Sequence, residues 1–230
     1  MKETETAENI TDPLLPKLQQ GLMKKLMNWL LSFKVLTKLD FWVFGISTFV
    51  LENTKELQFK FLPVFLAKSN GVSNDAAVWL QTALILSQAL GGFLLGWLTD
   101  MDRMELKPHI LTATMYILAA TCTFLIQFMP EIISLTFCVG ASGLFTASRS
   151  LTTTMILLQF FGKDLLASGL AIEEIFRTAG RILAPIIFSA LLDRQSNYEL
   201  SWDFGAISCF VSALLIFSAG YINTAGSNST

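Results

Sequence analysis

Apolar residues recur along this chain in long runs that short polar connections separate. Each of six runs is close to the length of about 20 residues that a helix needs to cross the hydrocarbon core of a bilayer. The connections contain turn-forming or charged residues, such as Ser69-Asn70-Gly71 and Gly162-Lys163-Asp164. The pattern predicts an all-α membrane protein with six transmembrane helices, at residues 41–66, 76–98, 110–128, 132–160, 165–192 and 203–222.

The segments outside these runs predict a simple domain organisation. Residues 1–16 are polar and predict a disordered cytosolic tail. Residues 17–39 repeat apolar residues at steps of three and four, with lysines between them, which is typical of an amphipathic helix on the cytosolic membrane interface. A linker helix that packs on neighbouring protein is an equally good interpretation. The six-helix domain then covers 40–223, and 224–230 form a second cytosolic tail.

Composition agrees with a membrane protein and excludes other classes. The 230 residues are 53% hydrophobic and 15% charged, the mean hydropathy is +0.55, and the net charge of −2 gives no basis for nucleic-acid binding. Cys122, Cys138 and Cys209 lie in apolar runs without CxxC spacing, so we expect no metal site, disulfide framework or cofactor. His109 is the only histidine and has no nucleophile to activate, so we do not expect an enzyme.

Lysine and arginine positions predict the orientation, because cytoplasmic loops of membrane proteins carry an excess of these residues. With a cytosolic N-terminus, nine of them lie on the cytosolic side and two on the opposite side. Both termini are then cytosolic, and we expect the plasma membrane as the location. The nine are Lys2, Lys17, Lys24, Lys25, Lys34, Lys38, Arg103, Lys107 and Lys163, and the two are Lys68 and Arg194.

Charged residues interrupt the first, fourth and fifth predicted helices at membrane depth. On insertion scales, each such charge costs roughly 2.5–3.5 kcal/mol when it faces hydrocarbon. Glu173, Arg177 and Arg181 are spaced by four and share one helix face, where opposite charges can pair. We expect this face to point into the bundle or a wet cavity, with the other helices arranged around residues 165–193.

The second, third and sixth predicted helices have no charged residue in their cores. This segregation predicts that helices one, four and five partly enclose an aqueous path, whereas helices three and six face lipid. Arg149 has no acidic neighbour in its own helix, so we expect it to meet an anion or a glutamate from another helix. The predicted substrate and ion path consists of Glu52, Lys55, Glu56, Lys60, Arg149, Glu173, Arg177 and Arg181.

A second interpretation of these charges needs no transported ligand. The pairs Glu52–Lys55, Glu56–Lys60 and Glu173–Arg177 could simply neutralise each other and fix the helix packing.

Glycine and proline positions predict close helix packing or flexing points. Small residues at a spacing of four let helices approach each other, and a proline within a helix can kink it. The predicted packing and gating residues are Gly91, Gly92, Gly96, Asp100, Arg103, Gly180 and Pro185.

Several stretches resemble a known family. The segment GGFLLGWLTD (91–100), followed by Arg103, is similar to a signature of the major facilitator superfamily. The segment ASRSLTTTMILLQFFGKDLLASGLA (147–171), Ala184-Pro185 with Asp193, and the Asn197-Tyr198 loop resemble the second half of monocarboxylate transporters. The segment LLSFKVLTKLDFWVFGIS (30–47) is similar to the lead into the seventh helix of that family. The resemblance covers about residues 30–222.

The resemblance implies one half, a 3+3 inverted repeat, of a twelve-helix transporter that works by alternating access. Helices one, two, four and five of such a half line the path, and helices three and six face outward. The implied partners are a small organic anion, a symported proton, the lipid bilayer and a complementary N-terminal half or a second copy. The family's substrate-binding arginine is replaced by Gly92, so Arg149, Arg177 and Arg181 are the candidates to bind the anion.

A different class of function fits the same residues. A truncated membrane protein that transports nothing could associate with a transporter and regulate it. The six helices lack the repeated Pro-x-Asp/Glu-x-x-Lys/Arg pattern of mitochondrial carriers, which makes that six-helix class a poor match.

Overall fold

The computed structural model describes residues 36–100, 107–195 and 198–227, and every regular element in these ranges is helical. Residues 1–16, nearly all of the predicted amphipathic helix 17–39, Arg103 and residues 228–230 lie outside the described residues. The helices are α1 (Leu39–Ser69), α2 (Asn74–Asp100), α3 (Pro108–Leu125) with a 3₁₀ turn (Ile126–Phe128), α4 (Ile132–Thr146), α5 (Ser148–Gln195) and α6 (Tyr198–Ser227).

Gly162 divides α5 into two antiparallel arms, residues 148–161 and residues 163–195. Its φ of 70° and ψ of −175° interrupt the helix, and the positive φ favours glycine. In a continuous helix, Arg149 and Glu173 would be separated by a rise of about 36 Å. Their side chains instead form a hydrogen bond of 2.9 Å, which requires the chain to reverse at Gly162.

The fourth predicted helix, 132–160, is built from α4 and the first arm of α5, which meet at Ala147. The Thr146 hydroxyl donates to the Ser142 and Gly143 carbonyls, and the Ser148 hydroxyl donates to the Phe145 carbonyl. Hydroxyl groups that bond to the preceding turn compete with the backbone ladder and often bend helices. One helix was predicted at 132–160, and two consecutive helical pieces are observed.

These elements form a six-helix membrane domain, as the sequence predicts. Within the described ranges, four segments are long and apolar enough to cross a bilayer, judged by length and composition: Asn74–Trp97, Pro108–Phe128, Thr152–Asp193 and Tyr198–Thr224. The third of these segments includes both arms of α5. α1 has the necessary length but carries the charged residues, and α4 is shorter.

α5 packs against every other helix of the described bundle, most extensively against α1. α1 packs most extensively against α6 and then against α5, and it also contacts α2. The second arm of α5 packs its charged face on α1 and leaves Ile175, Ile182 and Ile186 exposed. An apolar face needs no protein cover in a bilayer, so only the polar face of this segment requires a neighbour.

Two apolar clusters occupy the two ends of the bundle. Phe41 and Phe44 belong to the cluster next to the Gly162 turn, where the Lys38 ammonium donates to the Phe160 carbonyl at 2.7 Å. Phe65 stacks on Trp202 in the other cluster, with ring centroids 4.3 Å apart. Glu52, Lys55, Glu56 and Lys60 of α1 follow Leu51, the last residue of this helix in the first cluster.

The outer surfaces agree only partly with the predicted division of helices. α6 exposes Ile207, Phe210 and Phe217, as a lipid-facing helix would. α2 also exposes large apolar side chains, including Trp79 and Phe93. The sequence left the environment of helix two open, and in the described structure α2 is less buried than α3 and α6, the helices predicted to face lipid.

Candidate functional site

Three buried charged side chains join α1 to both arms of α5. Glu52, Arg149 and Glu173 have exposed fractions of only 1%, 3% and 2%. The Arg149 guanidinium contacts Glu52 Oε1 through Nη1, and it donates from Nη2 to Glu173 Oε1 at 2.9 Å. Arg149 therefore meets glutamates from other segments, as its sequence context predicts. Each carboxylate is paired, which offsets the cost of removing it from water.

Two further arginines from the second arm of α5 reach Glu52. Arg177 Nε lies 3.5 Å from Glu52 Oε1, and Arg181 Nε donates to Glu52 Oε2 at 3.3 Å. Both arginines also approach Glu174, at 2.6 Å from Arg177 Nη1 and 3.7 Å from Arg181 Nη1. Glu52 is thus the common partner of three guanidinium groups.

The pairing differs from two of the three pairs that the spacing suggested. Glu56 and Lys60 do pair, at 2.6 Å. Glu173 pairs with Arg149 instead of Arg177, and Glu52 pairs with the arginines instead of Lys55. The physical reason is that Glu52 faces α5, where several guanidinium groups converge.

All eight residues predicted for the path come together in space. With Glu174 they form what we term the charged cluster, whose members are linked directly or line a common cavity. That cavity has a volume of about 220 Å³ and lies between α1 and the two arms of α5. Its walls are Lys55, Arg149, Thr153, Thr154, Leu170, Glu173, Glu174 and Arg177.

Gly180 allows α1 and the second arm of α5 to approach at the charged cluster. A Cβ atom there would lie 2.6 Å from the Phe49 carbonyl oxygen and 2.8 Å from Glu52 Cβ. Pro185 lies half-buried in the same arm.

The predicted packing residues of α2 differ in their surroundings. A Cβ atom on Gly91 would lie 2.6 Å from the Leu144 carbonyl oxygen, whereas a Cβ atom on Gly92 would meet nothing within 4 Å. Close packing on α4 therefore involves Gly91, whereas Gly92 faces open space. Gly96 is half-buried, and Asp100 ends α2.

Sequence reasoning missed a second polar group, which we term the neutral cluster (Gln58, Thr123, Ser142 and Trp202). Gln58 Nε2 donates to Thr123 Oγ1 at 2.8 Å and to Ser142 Oγ at 2.7 Å. The Trp202 indole donates to the Thr123 carbonyl at 2.7 Å. These bonds join α1, α3, α4 and α6. The available signal was Gln58, a polar residue inside an apolar run. An uncharged side chain costs less to bury than a charged one, so this signal is weaker.

Comparisons with known proteins give the family. A family model described as the Major Facilitator Superfamily matches residues 44–228. The chain belongs to the major facilitator superfamily. It is also similar to Monocarboxylate transporter 12-B of Danio rerio, with 22% identity over 183 residues, which cover 80% of this chain and 38% of that relative. The chain thus spans well under half the length of the curated relative it matches.

Family membership confirms the predictions made at that level. The fold is a helical half of the superfamily kind, the protein is integral to a membrane, and it belongs to a class of transporters and not of enzymes. The assignment to the C-terminal half, the monocarboxylate transporter-like family, the orientation and the domain boundaries stay predictions.

Proposed function

We propose that this chain is the C-terminal half of a secondary transporter that moves small, monocarboxylate-like organic anions by alternating access. The observation that carries the proposal is the cavity at the charged cluster, because three of its wall residues are the cations Lys55, Arg149 and Arg177. Ionisable residues inside a membrane domain mark substrate and ion paths by default. The similarity to a protein named Monocarboxylate transporter 12-B supports the same class of substrate.

The arrangement separates fixed cations from accessible ones. Arg149 is held between Glu52 and Glu173 and is almost fully buried, so it fixes α1 against both arms of α5. Arg177 and Arg181 have exposed side-chain fractions of 29% and 41%, and both approach the more exposed Glu174. A substrate carboxylate competes with Glu174 for these two arginines.

Proton coupling follows from that competition. Protonation of Glu174 removes its negative charge and weakens its hold on Arg177 and Arg181, which frees them for a substrate anion. Release of the proton restores the internal pairs and expels the anion. Symport of a proton with the substrate is therefore part of the proposal.

A second protein surface completes the site. Glu174, Arg181 and Lys60 are between 41% and 52% exposed at their side chains, and hydrocarbon would be a costly neighbour for them. A complementary N-terminal half or a second copy covers this face, with both termini in the cytosol at the plasma membrane.

Uptake of radiolabelled lactate tests the proposal. The full chain is expressed alone and together with the first six helices of a monocarboxylate transporter, with Arg177→Met as the test variant. The matched control is Lys68→Met, which changes an exposed cation at the end of α1. We expect uptake in at least one of the two settings, at least a tenfold loss in Arg177→Met, and no loss in the control.

Background uptake in both settings, with the chain inserted in the membrane, would contradict the transporter proposal. The interpretation as a protein that associates with a transporter would then be favoured. The mass of the solubilised assembly on a native gel would identify such an association.

A further inference from the structure

His109 is a buried titratable residue outside the charged cluster, and the proposed transport makes no use of it. It is the only histidine of the chain and lies in the first turn of α3, at the end of the bundle that holds the Gly162 turn. Its side chain is only 4% exposed. Histidine is the side chain whose charge ordinarily changes between pH 5 and 8, so a buried imidazole at this position can make the packing depend on pH.

The imidazole ring packs directly on Gly220 of α6. A Cβ atom on Gly220 would collide with the carbon atoms of the ring and would lie 2.7 Å from its Nδ1. Gly220 therefore leaves the space that the ring fills, and we term this packing the His109 contact. α3 and α6 pack extensively on each other, and the His109 contact closes that interface at one end of the bundle.

The two nitrogens of the ring have different surroundings. The Gln159 side chain, from the first arm of α5, forms a hydrogen bond to the ring. Nδ1 is buried and has no hydrogen-bond partner among the residues that the structure describes. Both nitrogens of a protonated histidine are donors, so protonation would place a buried N–H group where no acceptor meets it. The hydrogen-bonding pattern thus favours the neutral ring.

The charges around the ring also oppose its protonation. Lys107 precedes His109 by two residues and repels a positive charge on the ring. The positive end of the α3 helix dipole acts in the same direction, because His109 lies in the first turn. The contacts from the other helices, Gln159 of α5 and Gly220 of α6, are uncharged.

The further charged residues described at this end of the bundle are Lys38, Asp40, Lys163 and Asp164. Asp40 of α1 is buried and already accepts a hydrogen bond of 2.8 Å from Asn223 Nδ2. The Lys38 ammonium donates to the Phe160 carbonyl, and the other two residues lie exposed beside Gly162. Within the described ranges, no salt bridge joins a carboxylate to His109 and offsets a charge on the ring.

We propose that the His109 contact is a pH-sensitive switch: the neutral ring holds α3 against α6, and protonation at mildly acidic pH expels the ring and loosens this end of the bundle. The switch is separate from the proposed proton coupling, because that proton binds to Glu174, whereas this one acts on helix packing. On the predicted topology, the end with the His109 contact faces the cytosol, so the switch responds to cytosolic acidity.

The direction of the pH dependence follows from where the proton can bind. A ring that has left the interface reaches water and takes up a proton near pH 6.5, as histidine ordinarily does. The closed interface rejects that proton, so acid favours the open state. The population of the open state should rise by up to about tenfold between pH 7.5 and pH 5.5.

The experiment measures hydrogen–deuterium exchange of the full chain in lipid nanodiscs at pH 7.5 and pH 5.5, with labelling times scaled to the intrinsic exchange rates. Peptides that cover 108–116 and 216–224 report on the His109 contact, and peptides from 62–70 report on the other end of the bundle. His109→Gln and His109→Phe cannot take up the proton. Asp40→Asn removes the other buried titratable group described at this end, and Gly220→Ala displaces the ring.

We expect exchange in 108–116 and 216–224 to be up to about tenfold faster at pH 5.5 in the wild type and in Asp40→Asn, with no change in 62–70. Both His109 variants should exchange at the same rate at the two pH values. Gly220→Ala should exchange rapidly at both, because the ring is displaced without a proton.

Two results would overturn the proposal. One is a wild type whose exchange in 108–116 and 216–224 does not depend on pH, and the other is a pH response that persists in both His109 variants. Exchange is measured without a substrate, so either result leaves the proposed transport function standing. Conversely, a chain that fails to take up lactate can still show the switch.

Discussion

Two buried polar clusters lie next to each other along α1 and compensate the cost of burying polar side chains in different ways. The neutral cluster begins at Gln58, and the charged cluster is centred on Glu52, less than two helical turns away. Gln58, Thr123, Ser142 and Trp202 are at most 1% exposed, and side-chain hydrogen bonds link them across four helices. The charged cluster encloses a cavity and has members that are about half exposed.

This difference suggests that the neutral cluster stabilises the helix packing, whereas the charged cluster is the candidate site. Neutral hydrogen bonds between membrane helices contribute only about 0.6 kcal/mol each on average. The charged cluster borders a cavity, and its outer members Lys60 and Glu174 are about half exposed. Polarity by itself therefore does not distinguish the two clusters, whereas the cavity and the partial exposure of the charged cluster do.

Glu52→Gln should have the largest effect, since it removes the common partner of Arg149, Arg177 and Arg181. Breaking a buried ion pair from one side costs about 3–5 kcal/mol. We expect a loss of that size in the free energy of unfolding, measured by chemical denaturation of the chain in mixed micelles. Glu131→Gln, at an exposed connection, is the control and should change little. A similar stability for both variants would show that the charged cluster does not hold the helices together.

Gly180→Ala should have an intermediate effect, because the added Cβ would meet the Phe49 carbonyl oxygen at 2.6 Å. Overpacking of this kind costs about 1–3 kcal/mol. Gly92→Ala is the matched control: its Cβ meets nothing within 4 Å, so we expect no loss or a slight gain from helix propensity. Thermal unfolding of the two variants side by side measures the difference. A larger loss of stability in Gly92→Ala than in Gly180→Ala would contradict the close contact between Gly180 and α1.

Gln58→Leu should have the smallest effect, about 1 kcal/mol of unfolding free energy, because the Thr123 and Ser142 hydroxyls still bond to each other at 2.9 Å. Lactate binding should be unchanged, since Gln58 does not line the cavity. Calorimetry and denaturation of this variant test both points. A loss of binding without a loss of stability would join the neutral cluster to the site and remove the distinction drawn above.

Part of the candidate site could be predicted because charge in an apolar run is conspicuous. Glu173, Arg177 and Arg181 were placed on one face by their spacing alone, and the structure brings that face against α1. The partners were harder to predict. Spacing within one helix suggested Glu173 with Arg177, but the deeper neighbour is Arg149, which arrives only because the chain reverses at Gly162.

The sequence alone determined that the chain enters a membrane as helices, because long apolar runs have no other stable state in a bilayer and their length fixes where they cross. It also determined which helices need polar neighbours. The tertiary structure decided that α1 packs against α5, that Glu52 contacts three arginines and that Arg149 meets Glu173 across the Gly162 turn. Those outcomes depend on distances between segments far apart in the chain, and helical periodicity contains no information about them.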